Sequence, residues 1–341
     1  MFDPLSVIVY GLCQLFPILL LAPLPPSTKR ARLGLYLLAF APICVFAALR
    51  GNVGTDTQVY RDNFDALTSA SSIGLDPLFY QFEWAFKLTG LGVQAFLAGE
   101  AIFCWVLFSV GAARVDQKLP VITIGLLPVL LLDATFNGLR YGMAFAVTLA
   151  IISGLDSRKG IVRVLLSLLP GLFHSSMLVL LLLRTRIIWA VGTIVGVVVL
   201  LYVERFNPIV VYLSYKYAAY DVTQRPSWFS GLFPLFQLMM LYCVAKFAKC
   251  SFKDRPDLLT LSVIVILTGI GTSYMSSAGL RILQIGVFLF AIWVSSSAAK
   301  VTQSARVTIV LMGLSGVLNF WRQIFLTGPA GSVLFVPYHF F

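Results

Sequence analysis

Long apolar blocks recur along the whole chain, and short charged or turn-forming segments separate them. About twenty consecutive apolar residues are enough for a helix to cross the hydrocarbon core of a bilayer. Hydrophobic residues make up 59% of the chain and charged residues 11%, values outside the range of soluble globular domains. We therefore predict an all-α polytopic membrane protein that forms one integral membrane domain over residues 1–341. The predicted full spans are ten: residues 5–24, 33–49, 93–113, 119–133, 139–155, 187–203, 229–247, 258–278, 282–299 and 307–326.

The basic residues predict how these spans are oriented. Lys and Arg number 25 against 14 Asp and Glu, a formal net charge of +11, and they stand in short clusters between apolar blocks. This distribution argues against nucleic-acid binding and suits the positive-inside rule, by which Lys and Arg collect on the cytoplasmic side. The first block has no basic region before it and Lys29, Arg30 and Arg32 after it. We expect a retained first span whose N-terminal end lies outside.

The apolar block at residues 161–184 can be arranged in two ways. A straight crossing divides the 25 basic residues 13 to 12 between the two sides, whereas a hairpin that bends at Pro170 and Gly171 divides them 16 to 9. The second division is the asymmetry that the positive-inside rule expects. We predict a re-entrant hairpin with His174 near its apex and both chain ends outside. A straight helix kinked at the proline is the alternative.

Four arginines stand where predicted spans begin or end on the outer side: Arg50, Arg140, Arg281 and Arg322. Ionisable residues next to hydrocarbon are costly, so they are functional candidates by default. Helix-end arginines that reach towards the headgroups would give the same pattern at any one position.

Two outer loops are long enough to carry structure of their own. The first, residues 50–92, contains apolar residues at helical spacing over positions 76–90, which predicts an amphipathic helix in the interface. The second, residues 204–228, carries four tyrosines. These can stack on sugar rings, although an aromatic belt at the headgroups predicts the same residues.

The sequence lacks the signatures of nucleotide-driven pumping and dinucleotide redox chemistry. Its five cysteines and two histidines have no metal-ligand spacing, so we expect no metal and no other cofactor. Arginine binds phosphate oxygens in bidentate fashion. Several arginines on the outer side therefore suggest that the substrate is a lipid diphosphate. His174 can take a proton from a hydroxyl nucleophile, although a lone histidine in an apolar stretch is more often structural.

Five short motifs resemble, in order, those of the EpsG-like, Wzy-type polysaccharide polymerases over roughly residues 45–340. They are Arg50-Gly-Asn-Val-Gly-Thr-Asp-Thr-Gln-Val-Tyr, Leu139-Arg140-Tyr141-Gly142-Met143-Ala144, Phe173-His174-Ser175-Ser176, Arg281-Ile282 and Pro337-Tyr338. Two departures stand at Tyr141 and Gly142, where a Gln and an apolar residue are expected. A third stands at Gln284 and Ile285, which replace the Tyr-Phe that often follows the late arginine.

The resemblance implies a bacterial inner-membrane enzyme with an architecture similar to GT-C glycosyltransferases. Such an enzyme joins oligosaccharide repeat units carried on undecaprenyl diphosphate at the periplasmic face, with this lipid-linked glycan as both donor and acceptor. O-antigen, capsule and exopolysaccharide are the products that the family implies. Implied partners are a chain-length regulator, a flippase and membrane lipid. The positions that match family motifs are Arg50, Asp56, Tyr60, Arg140, His174 and Arg281.

We expect Arg140, Arg281 and Arg322 to hold the donor diphosphate and His174 to act as general base. Asp56 is the competing base, or it orients Arg50 or Arg61. The remaining expected substrate contacts are those of Arg50, Tyr60 and Arg61. Two other functions stay open from sequence alone. One is a ligase that uses the same donor, and the other is a flippase for lipid-linked oligosaccharide.

Overall fold

A computed structural model describes residues 3–23, 28–54, 56–67, 76–155, 160–183, 231–273, 277–325, 338 and 340. The predicted span at residues 187–203 and the predicted loop at residues 204–228 lie outside these described residues. So does the start of the predicted span at residues 229–247.

The described chain is helical, and its helices are numbered α1 to α13 in chain order. They are α1 (Pro4–Leu21), α2 (Lys29–Leu49), α3 (Thr57–Ala66), α4 (Pro77–Leu88), α5 (Val93–Val115), α6 (Val121–Gly125), α7 (Leu127–Phe136), α8 (Leu139–Leu155), α9 (Gly160–Phe173), α10 (Leu232–Phe247), α11 (Pro256–Ser273), α12 (Ser277–Ser297) and α13 (Gln303–Phe325). A 3-10 helix, Ser175–Leu183, follows α9. The extended backbone pairing among the described residues is one isolated antiparallel bridge between Arg50 and Phe340.

Six of these helices are long and apolar enough to cross a membrane: α1, α2, α5, α11, α12 and α13. Four shorter apolar helices accompany them: α7, α8, α9 and α10. The prediction of an all-helical, multi-pass membrane protein is confirmed at this level. The count of ten full spans and the GT-C-like architecture stay predictions.

The predicted span at residues 119–133 is two helices in the structure. Helix α6 ends at Gly125, Leu126 has the non-helical angles φ −121° and ψ −49°, and α7 begins at Leu127 with Pro128 in its first turn. Proline has no N–H to donate, and its ring would collide with the carbonyl four residues earlier in a continuous helix. The apolar run at residues 119–133 is therefore not one continuous helix, because Pro128 ends the first helix and begins a second.

The chain also breaks at His174. Helix α9 continues through Pro170 and Gly171 and ends at Phe173, two residues beyond the bend that the sequence predicted. The 3-10 helix then packs against α9, and the Leu178 side chain lies so close to Gly171 that a Cβ there would collide with it. This packing places His174 between two apolar segments. Insertion of the pair from one side of a membrane stays a prediction.

The helix bundle has two ends of different character. At one end, Arg32, Arg114 and Arg255 donate to the backbone oxygens of Gln117 (3.3 Å), Ala150 (2.8 Å) and Ile152 (2.9 Å). These oxygens lie near the C-terminal ends of α5 and α8, and cations are favoured at such ends. The opposite end carries the C-terminal end of α2, the N-terminal end of α8, helices α3 and α4, and His174. The site described below lies at this second end.

Candidate functional site

An ion pair between Arg140 and Asp76 is the centre of the site. Arg140 lies in the first turn of α8, and its Nη1 donates to Asp76 Oδ2 at 3.0 Å. The other carboxylate oxygen, Oδ1, accepts from the backbone N–H of Ser175 at 2.9 Å. Asp76 therefore joins three separate parts of the chain: the start of α4, the start of α8 and the break after α9.

The ion pair is shielded on one side and reachable on the other. The Asp76 side chain is 8% exposed and the Arg140 side chain 31% exposed. The Arg140 guanidinium carbon lies 6.0 Å from the centre of the Phe79 ring, within the range of cation–π attraction. Arg140 can therefore meet a ligand without losing its carboxylate partner.

Tyr60 and Glu83 surround Arg140 from the outer helices. The Tyr60 side chain is buried near Arg140, and burial raises the pKa of its phenol to about 12 against the opposing effect of Arg140. Glu83 is also buried, and burial raises the pKa of its carboxyl to about 7, although Arg140 and Lys87 oppose the shift. Burial thus leaves a larger fraction of Glu83 protonated near neutral pH than an exposed glutamate would have, which reduces its competition with an anionic ligand for Arg140.

His174 is half-buried beside the same cluster. Its Nδ1 lies 2.7 Å from Ser176 Oγ and accepts from the backbone N–H of Ser176 at 3.3 Å. The edge of the Tyr141 ring meets the imidazole, with 5.9 Å between ring centres and an interplanar angle of 82°. Because Ser175 is bound to Asp76, the histidine is held close to the Arg140 pair.

A second cluster of polar side chains connects α7, α8 and α12. Tyr141 Oη donates to Gln284 Oε1 at 3.3 Å, and Asn137 Nδ2 donates to Asp133 Oδ1 at 2.7 Å. Both Arg281 and Asp56 are close enough to act electrostatically on Asp133. Gln284 follows Arg281 by one helical turn, and Thr57, the neighbour of Asp56, donates its hydroxyl to Phe136 O at 3.2 Å. Arg281 and Asp56 therefore lie at the same end of the bundle as Arg140 and His174.

Arg50 lies inside the protein rather than on the surface. Its side chain has no exposed area, its Nη1 donates to Ala47 O at 2.9 Å, and its guanidinium carbon lies 5.2 Å from the Phe136 ring centre. Its backbone oxygen accepts from Gln94 Nε2 at 3.0 Å. Contact with a substrate would require these groups to move, so a substrate-binding role for Arg50 stays a prediction.

The other two predicted arginines occupy different surroundings. Arg61 is half-buried and donates to Gln94 Oε1 at 2.8 Å. Arg322 is exposed in the last turn of α13 and donates to Asn319 Oδ1 at 3.3 Å. No contact in the described part of the chain joins Arg322 to the Arg140 pair. Its diphosphate-binding role stays a prediction.

Four residues of the site were not chosen from the sequence: Asp76, Glu83, Tyr141 and Gln284. Asp76 and Glu83 were two of several carboxylates in a long outer segment, and no local pattern joins Asp76 to an arginine 64 positions away. Tyr141 and Gln284 were noted as departures from the family pattern. Their hydrogen bond shows that these departures lie in contact with each other.

Comparison with known proteins gives one match. No curated protein and no solved structure matches the chain. The EpsG family matches residues 34–340, a range that includes every residue of the site from Arg50 to Gln284 and the Arg50–Phe340 bridge. Because this match covers most of the chain, the protein is a member of the EpsG family.

Proposed function

We propose that this protein is a polysaccharide polymerase, an inverting glycosyltransferase that joins repeat units carried on undecaprenyl diphosphate. The observation that carries the proposal is the Arg140–Asp76 pair held against the His174 break at one end of a helical bundle. Membership of the EpsG family supports the same reaction. The proposed location is the periplasmic face of a bacterial inner membrane.

The proposed reaction is a single displacement at an anomeric carbon. The acceptor hydroxyl oxygen bonds to the anomeric carbon of the donor glycan, and the bond between that carbon and the diphosphate oxygen breaks. The lipid diphosphate leaves with the bonding electron pair, and the hydroxyl proton passes to a base. His174 and Asp56 are the two candidate bases that the sequence offers.

Arg140 and Arg281 are the proposed holders of the leaving diphosphate. Asp76 binds Nη1 of Arg140 and so fixes the plane of its guanidinium group. The other N–H groups of this planar fork suit phosphate oxygens, and a fixed cation favours charge that develops on the leaving group. Arg281 is exposed at the start of α12, where it can approach the same ligand.

Reconstitution tests the proposal directly. Purified protein in nanodiscs would receive one lipid-linked repeat unit without nucleotide, and a gel or mass spectrum would report a ladder of polymer lengths. We expect a ladder from the wild type and from Lys253→Ala, whose exposed lysine lies at the opposite end of the bundle. Arg140→Ala should lose it. Movement of the lipid-linked glycan between leaflets without any ladder would instead identify a flippase.

A further inference from the structure

The hydrogen bonds of His174 determine which ring nitrogen carries the proton. Two groups of Ser176 approach Nδ1: the backbone N–H at 3.3 Å and the side-chain hydroxyl oxygen at 2.7 Å. A backbone N–H can donate but cannot accept. Nδ1 is therefore the acceptor nitrogen, and the side-chain hydroxyl can donate to the same lone pair.

The tautomer follows from this arrangement. In a neutral imidazole one nitrogen is a hydrogen-bond donor and the other an acceptor. The partner of Nδ1 therefore determines whether the proton is on Nδ1 or on Nε2. With Nδ1 as acceptor, the proton of neutral His174 is on Nε2. Nε2 is then a hydrogen-bond donor, and it has no lone pair with which to accept a hydroxyl proton.

Neighbouring contacts keep the ring in this state. Ser175, between the histidine and Ser176, donates its own N–H to Asp76, so both successive N–H groups after His174 have fixed acceptors. The Tyr141 ring packs edge-on against the imidazole and limits its rotation. Among the described residues, Ser175 connects this break to the ion pair of Asp76 and Arg140.

We propose that His174 meets the substrate as a hydrogen-bond donor through Nε2–H, towards an oxygen of the lipid diphosphate, while a carboxylate takes the hydroxyl proton. The proposal rests on the proposed function and replaces one of its two candidate bases. Asp56 is the carboxylate assigned to the proton. It is half-buried, and its side chain does not cap the helix that it precedes. The diphosphate leaves as an anion and needs no proton, so a donor to its oxygen stabilises it without a transfer.

Nitrogen-15 NMR of histidine-labelled protein in nanodiscs tests the tautomer without any turnover. The chain has two histidines, and the signal missing from the His174→Gln spectrum identifies that of His174. At a pH where the ring is neutral, we expect the proton on Nε2 in the wild type. Ser176→Ala keeps the backbone N–H, so its tautomer should be unchanged. A proton on Nδ1 in the neutral wild-type ring would overturn the proposal.

Amide substitutions test the role of the donor. The side-chain amide of Gln reaches the position of Nε2 and can donate there, whereas that of Asn reaches only the position of Nδ1. Neither amide can accept a hydroxyl proton. We expect ladder formation by His174→Gln to stay within about tenfold of the wild type. His174→Asn should fall by about 10- to 150-fold, the effect of one lost hydrogen bond to a charged group.

Asp56→Asn provides the complementary variant, because it keeps the shape of the side chain and removes its proton acceptor. We expect it to abolish the ladder. A fully active Asp56→Asn, or a His174→Gln as inactive as His174→Ala, would refute the proposal. If no condition gives a ladder from the wild type, the polymerase function fails, and the NMR result still decides the tautomer.

Discussion

Removal of the Asp76 carboxylate should destabilise the protein and uncouple Arg140 from the break at His174. The perturbation is Asp76→Ala, compared with Arg140→Ala and with the variant that carries both substitutions. Asp76 makes two contacts that alanine cannot make: the 3.0 Å ion pair and the 2.9 Å hydrogen bond from Ser175. Each contact joins segments that are distant in sequence.

The expected magnitude follows from burial. Loss of one partner of a fully buried ion pair costs about 3–5 kcal/mol in free energy of unfolding. The Arg140 side chain is 31% exposed, so solvent screens part of this term. We expect about 2–3 kcal/mol from the pair and about 1 kcal/mol from the Ser175 hydrogen bond. Arg140→Ala loses the ion pair together with its contact with Tyr60, so its effect should be about 2–3 kcal/mol.

A thermal unfolding assay in detergent can measure these effects by following the reaction of a thiol-specific dye with Cys13 and Cys104, which are buried. At about 2–4 °C per kcal/mol, a total loss of about 3–4 kcal/mol in Asp76→Ala should lower the apparent Tm by roughly 6–16 °C. The double variant should be more stable than the sum of the single effects predicts, by about 1–3 kcal/mol. Asp65→Ala removes an exposed carboxylate from the same outer segment and should change Tm little. Additive shifts in the double variant would refute the coupling.

Three further predictions concern the surroundings of Arg140. Arg140→Lys keeps the charge but loses the planar fork, so polymer length and rate in the reconstituted assay should fall sharply, and a wild-type ladder would exclude a bidentate clamp. Glu83 has a folded-state pKa of about 7, above that of a free carboxyl, so the folded protein binds the extra proton. Its contribution to stability is therefore lost as pH rises from about 4.5 through about 7, and Tm measured against pH should fall less steeply in Glu83→Gln. Gly142→Val should displace Arg140 and reduce activity, because any Cβ at Gly142 would collide with Ala134, whereas Gly154→Ala on the same helix meets open space and should keep both activity and Tm.

The apolar helices could be predicted well from sequence because their lengths depend on local composition. Residues 139–155 were predicted as a span, and α8 has the same bounds in the structure. The break at Leu126 was missed because an apolar run shows no change in hydropathy where Pro128 begins a new helix. Helix α3, Thr57–Ala66, was missed because it is short and mostly polar.

The site could be predicted only in part. Arg140, Arg281 and His174 were identifiable because a charge or an imidazole at the end of an apolar block is unusual. Their partners were not identifiable, because Asp76 lies 64 positions from Arg140 and Gln284 lies 143 positions from Tyr141. Such pairs depend on how helices pack across the bundle, which the periodicity of a single segment does not encode.

The contacts of Tyr338 constrain how the chain is threaded through a membrane. Its backbone N–H donates to Ser6 Oγ at 2.7 Å, and its phenol donates to the backbone oxygen of Phe46 at 2.6 Å. Ser6 lies in the first turn of α1 and Phe46 in the last turn of α2, so Tyr338 belongs to the same end of the bundle as both. In a protein that crosses a membrane, we then expect an even number of complete crossings between Ser6 and Tyr338. Ten crossings with a re-entrant hairpin satisfy this parity, and eleven crossings with a straight helix at residues 161–184 do not.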